Sequence, residues 1–91
     1  MWYVYILLCS DNTLYTGISN NPEERLKVHE AGKGAKYTKG RSPLKIIFLS
    51  ETKDRSEASR EEYRIKCLTR DSKILLIDSD LNTLKDYKSS N

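Results

Sequence analysis

Trp2-Tyr3-Val4-Tyr5-Ile6-Leu7-Leu8-Cys9 and Thr13-Leu14-Tyr15-Thr16-Gly17-Ile18-Ser19 stand on either side of Ser10-Asp11-Asn12. The first run is aromatic, β-branched or aliphatic with no polar break, the pattern of a strand buried on both faces. The second also reads as a strand, and the short polar connection makes the pair an antiparallel hairpin. Tyr5 and Tyr15 therefore lie on adjacent strands.

Downstream, Asn21-Pro22-Glu23-Glu24 is a helix start: an Asn cap, Pro at the first helical position, and carboxylates where the helix dipole favours them. This helix is expected to reach about Ala31 and stop at Gly32, with Arg25 and His29 on one face. Gly32 to Gly40 reads as a glycine-punctuated basic loop around Tyr37, with room for one helical turn. Leu44 to Ser50 resumes strand character. Asp54 and Glu57 have the form of a capping box, with Ser56 as a competing cap, for a helix reaching about Leu68. Its apolar line runs through Ala58, Ile65 and Leu68, and Glu62 is spaced to project from the same side. Thr69 or Asp71 caps a last short helix whose Ile74, Leu75, Leu76 and Ile77 are expected to cover the core. The expected fold class is α/β of the α+β kind: a small three-stranded antiparallel sheet flanked by helices in the order β-β-α-β-α-α. The domain is placed at residues 1–79, and 80–91 form a polar tail that frays unless Leu81, Leu84 and Tyr87 pack back.

With 91 residues the chain is read as one domain near the lower size limit for a single unstapled core. Cys9 and Cys67 have neither CxxC spacing nor a His-rich neighbourhood, so no zinc site or disulfide framework follows. The apolar run from Trp2 to Cys9 lacks a basic leader and is too short to span a bilayer. A soluble, intracellular protein with no membrane association is expected, cytoplasmic if bacterial. The net charge of +3 is a weak argument for nucleic acid, but its distribution says more. Lys33, Lys36, Lys39, Arg41 and Lys45 occupy the stretch from Ala31 to Ser50 with no acidic residue among them, which gives one side of the domain a positive field. The competing reading is a solubilising loop.

The segments Tyr3-Val4-Tyr5-Ile6-Leu7, Leu14-Tyr15-Thr16-Gly17, Arg25-Leu26 with His29, Gly32-Lys33-Gly34-Ala35-Lys36-Tyr37-Thr38, Arg41-Ser42-Pro43 and Glu62-Tyr63-Arg64-Ile65-Lys66 follow one another at specific spacing. In that order they resemble the GIY-YIG nuclease superfamily, and within it the small single-domain, UPF0213-like branch. Two departures stand out: Tyr3 occupies the place of the first motif's glycine, and Thr16 that of the second motif's isoleucine. The last helix also lacks the asparagine that some larger family nucleases use near the metal.

The resemblance implies a divalent-metal-dependent endonuclease, using Mg²⁺ or Mn²⁺ to hydrolyse DNA phosphodiesters. Structure selectivity rather than sequence specificity is implied, in repair or in processing branched or single-stranded ends. It gives Tyr5 the role of general base, with Tyr15 orienting the attacking water or supporting Tyr5. A tyrosine with an ordinary pKa of about 10 needs a nearby cation or strong hydrogen bonds for that task. Arg25 would grip the scissile phosphate with its planar fork. His29 would hydrogen-bond a catalytic tyrosine or relay its proton. Glu62 would be the sole protein ligand of the metal, since Mg²⁺ keeps several waters and takes other ligands from substrate. Lys33, Lys36, Tyr37, Lys39 and Arg41 would contact the nucleic-acid backbone without reading sequence. Taken singly, each residue has a plainer reading: strand tyrosines, an exposed arginine paired to a glutamate, an incidental histidine, a solvated glutamate with Glu61 competing for the inward position. DNA is preferred to RNA as partner, with a protein partner supplying specificity. The alternative is a non-catalytic nucleic-acid-binding module that leaves chemistry or targeting to a partner.

Overall fold

The computed structural model describes residues 1–85. Strand β1 (Trp2–Leu8) lies at the centre of a three-stranded sheet between β2 (Leu14–Ser19) and β3 (Lys45–Thr52), both antiparallel to it. Its central position explains its uninterrupted hydrophobicity: Val4, Tyr5, Ile6 and Leu7 are all buried. Asn12 takes a positive φ of 67° in the hairpin turn, a conformation Asn tolerates. Asp11 braces the turn by accepting from the Thr13 backbone N–H and hydroxyl.

Three helices follow from local signals. In α1 (Pro22–Glu30) the Asn21 side chain accepts from the Glu24 N–H, and Gly32 sits at φ 74° past the end. In α2 (Arg55–Lys66) Asp54 accepts from the Glu57 N–H, which decides against Ser56 as cap. Glu57 reaches back to the Lys53 N–H, a variant of the reciprocal capping arrangement. In α3 (Arg70–Ile77) Thr69, not Asp71, is the cap, accepting from the Ser72 N–H. The expected order β-β-α-β-α-α is the order found.

The two faces of β1 support two cores. Val4, Ile6, Phe48, Ala58 and Ile65 form the one roofed by α2 and α3, with Trp2, Leu76 and Ile77 at its margin. At that margin the Arg55 guanidinium stands 5.5 Å from the Trp2 ring centroid. Tyr5, Leu7, Cys9, Leu44 and Leu49 form the other, joined by Leu26 of α1 and by Leu84. The expectation for α3 needs correction: Leu76 and Ile77 reach the core, but Ile74 and Leu75 are 42% and 72% exposed. Successive helical residues step about 100° around the axis, so four in a row cannot share one face.

Beyond α3 the chain returns to the sheet. Between Ile6 and Leu7 the pairing with β3 slips by one residue, so that Ile47 bulges. The Asn82 amide donates to the Ile47 carbonyl at 2.9 Å, and the Leu49 N–H donates to its Oδ1 at 3.2 Å. The Thr83 N–H and hydroxyl both donate to the Leu49 carbonyl. Of the tail side chains, Leu84 packs on the second core, Leu81 is 61% exposed, and Tyr87 lies outside the described residues. Among the described residues no helix is long and apolar enough to cross a membrane.

Candidate active site

The hairpin register pairs Tyr5 with Gly17 and Leu7 with Tyr15, which puts both tyrosines on the face covered by α1. Gly17 is required by the approach of Tyr5: a Cβ there would meet the phenol oxygen at 2.5 Å. On α1, His29 is one turn beyond Arg25, and its ring is driven into the sheet. Its Nε2 lies 2.9 Å from Tyr5 Oη, and its ring meets that of Tyr15 edge-on at 5.4 Å. Its Nδ1 lies 2.9 Å from Thr38 Oγ1 and receives the Ala35 N–H at 3.3 Å. Gly34 makes this enclosure possible, because a Cβ at that position would overlap the imidazole.

Electrostatics follow from burial and from three side chains near the tyrosine, Tyr15, Arg25 and Glu62. Desolvation pushes the Tyr5 phenol up to about 12, and the neighbouring Tyr15 adds to the rise. Hydrogen bonding and charge from Arg25 pull it down, and the charge of Glu62 pushes it up. Burial, helped by Arg25, holds His29 below the ordinary histidine value, which favours a neutral ring near neutral pH. Glu62 thus comes within electrostatic reach of Tyr5 from α2. Glu61 is bound instead to Arg64 at 2.6 Å, while Glu62 is the less exposed of the two and meets Lys66 at 3.5 Å. Helical register thereby separates two adjacent glutamates that periodicity alone left in competition.

The loop between α1 and β3 contains one 3-10 turn, Lys36–Thr38, whose Thr38 is buried. Leu44 N–H donates to the Glu30 carboxylate and Ser10 N–H to the Arg41 carbonyl, so the C-terminal end of α1 and the hairpin turn hold the loop in place. Lys33, Lys36 and Lys39 are exposed. Tyr37 stacks on Tyr15 at 5.8 Å with 25° between the rings, and the Arg41 guanidinium stands 4.5 Å over Tyr37. Arg41, expected to contact the nucleic-acid backbone, is ion-paired and hydrogen-bonded to Asp11. Thr38, the Ala35 N–H, Gly34 and Asp11 were not singled out as site groups by sequence reasoning. A buried threonine in a polar loop has no periodicity to betray it.

Among the described residues no three His, Cys, Asp or Glu side chains cluster as a metal cage. A single oxygen donor, Glu62, fits a hard divalent ion that draws its remaining ligands from water and phosphate. Both His29 nitrogens are already engaged, so the imidazole is not available as a ligand.

The model of the GIY-YIG catalytic domain matches residues 1–74. The UPF0213 protein of Oceanobacillus iheyensis is 55% identical over 76 residues, covering 84% of this chain and 88% of that protein. The UPF0213 protein of Clostridium perfringens is 52% identical over 88 residues, covering 97% and 95% respectively. The solution NMR structure of the UPF0213 protein from Bacillus halodurans is 38% identical and aligns with a TM-score of 0.58 over 98% of this chain and 96% of that one. A second NMR structure, of an E. faecalis protein, is 39% identical with a TM-score of 0.55, covering 81% and 80%. With the matched model spanning both hairpin motifs, α1 and α2, this chain belongs to the GIY-YIG family, in its UPF0213 branch.

Proposed function

We propose that the protein is a divalent-metal-dependent endonuclease that hydrolyses DNA phosphodiesters, selecting substrate structure rather than sequence. The observation that carries this reading is the convergence on the Tyr5 phenol of His29 and Arg25 from α1 and of the Glu62 charge from α2. Arg25 binds the scissile phosphate through its fork. Tyr5, as phenolate, takes a proton from the attacking water as the water oxygen bonds to phosphorus and the opposite P–O bond breaks. Tyr15 orients that water, and Lys33, Lys36 and Lys39 hold the flanking backbone. A Mg²⁺ or Mn²⁺ ion on Glu62 would supply positive charge for the phosphoryl and leaving oxygens.

A labelled panel of single-stranded, duplex, flapped and branched DNA, with RNA beside it, tests the proposal in Mg²⁺, Mn²⁺ and EDTA. Metal-dependent cutting that Glu62→Ala and Arg25→Ala each abolish is expected. Cutting that survives both substitutions refutes the assignment. Salt-sensitive binding with no cutting would transfer the reading to a binding module that works with a partner.

A further inference from the structure

We infer that the loop after α1 fixes His29 in the Nε2–H tautomer, so that the imidazole donates a hydrogen bond to Tyr5 instead of accepting the phenol's proton; Ala35, through its N–H, is the positioning residue. The functional meaning of this rests on the nuclease reading above, but the tautomer itself does not.

The donors around the imidazole decide which nitrogen carries its proton. A backbone N–H can only donate, and that of Ala35 points at Nδ1 from 3.3 Å. It meets no other acceptor among the described residues. Nδ1 must therefore present a lone pair. In a neutral imidazole the remaining proton then sits on Nε2, 2.9 Å from the Tyr5 oxygen. Thr38 serves either arrangement: its hydroxyl reaches Nδ1 at 2.9 Å and the Ala35 carbonyl at 2.9 Å. If Nδ1 carried the proton, Thr38 Oγ1 would accept it and pass its own hydrogen to that carbonyl. The Ala35 N–H would then face another N–H in a half-buried site with no partner, and such a donor carries the full cost of its desolvation. In the favoured arrangement the Ala35 carbonyl gives up the Thr38 hydroxyl but is not left unpaired, because it still accepts from the Thr38 N–H at 3.1 Å. Burial and Arg25 both disfavour a protonated ring, which keeps the choice between two neutral tautomers.

Two consequences follow for the site. Tyr5 receives a hydrogen bond from the imidazole, a donor to its oxygen favours the anion, and Arg25 acts in the same direction by lowering the phenol's pKa. His29 then stabilises the phenolate and is not the base that creates it, which selects the hydrogen-bonding role over the proton relay, the two roles that the resemblance left open.

The chain has one histidine, so ¹⁵N spectra of the untagged protein report this ring without ambiguity. Above the ordinary histidine pKa the wild type is expected to show a pyridine-type Nδ1 and a pyrrole-type Nε2. The opposite pattern overturns the inference outright. Ala35→Pro removes the N–H at a residue whose φ of −65° already suits proline. It is expected to shift the ring toward the Nδ1–H form and to lower cleavage about tenfold or more. Thr38→Val supplies a second arm for the case in which that variant fails to fold. Its ring should keep the Nε2–H form, because the Ala35 N–H remains. A swing to Nδ1–H, or loss of a tautomer preference, would show that the hydroxyl and not the N–H decides, and would overturn the inference. Because these spectra need no substrate, a protein that never cuts DNA still tests the tautomer. Unchanged cleavage in Ala35→Pro alongside a switched ring would overturn the functional half alone.

Discussion

Tyr5 is held in an environment that opposes the state its proposed role requires. With the phenol pushed up to about 12, the phenolate is scarce at neutral pH. If the phenolate is the base, cleavage should rise about tenfold per pH unit from neutral into the alkaline range, under single-turnover conditions. Tyr5→Phe should remove both the activity and the slope. A flat profile in the wild type would exclude Tyr5 as the base. Gly17 acts through the same ring. In Gly17→Ala the new methyl collides with the phenol, so either the ring or β2 must move. Overpacking of this kind costs roughly 1–3 kcal/mol, read as a lower midpoint in urea. Cleavage should fall further than that loss of folded protein explains, because the phenol oxygen leaves its place beside His29.

Among the elements, the helix starts were legible because capping is local chemistry: Asn21, Asp54 and Thr69 each meet an N–H three residues on. The exposed Ile74 and Leu75 were misread because a run of apolar residues was weighed without its angular spacing. The loop after α1 was the least legible element. Its composition marked it as basic, but nothing local says that Thr38 turns inward to His29 or that Asp11, on a different element, claims Arg41. That ion pair yields a prediction belonging to the loop. Asp11→Asn removes the charge that occupies Arg41 while keeping an acceptor for Thr13. DNA binding should tighten, and its dependence on salt should steepen by about one counterion as Arg41 turns to a phosphate. Fluorescence anisotropy across a salt series measures both. Weaker or unchanged binding would mean that Arg41 does not reach DNA.

For the molecule as a whole, the order of strands and helices along the chain was legible from local signals, whereas the central place of β1 between β2 and β3 was not read in advance, although its all-apolar run suits it. The pairing of Arg25 with His29 was legible from helical spacing. The approach of Glu62 was not derivable from spacing alone, since it depends on how α2 lies across β1 and β2. Burying His29 couples this site to global stability. Its folded pKa lies below the ordinary 6.5, so the unfolded chain binds a proton more readily. That contribution is fully present above pH 6.5 and is lost as pH falls through the folded value. The melting temperature should therefore start to drop below pH 6.5, above the range where carboxylates titrate, and His29→Gln should flatten this part of the curve. An unchanged curve in the variant would assign the drop to other groups.

Trp2, the only tryptophan, sits beneath Arg55 on the side of β1 opposite the Tyr5 phenol. The protein thus carries an optical probe that watches α2 seat on the sheet and is turned away from the Tyr5 phenol. Its emission should shift to the red as the chain unfolds, yet stay constant when DNA or a divalent ion is added. Titrations that do change it would report that occupancy of one face is transmitted through β1 to the other.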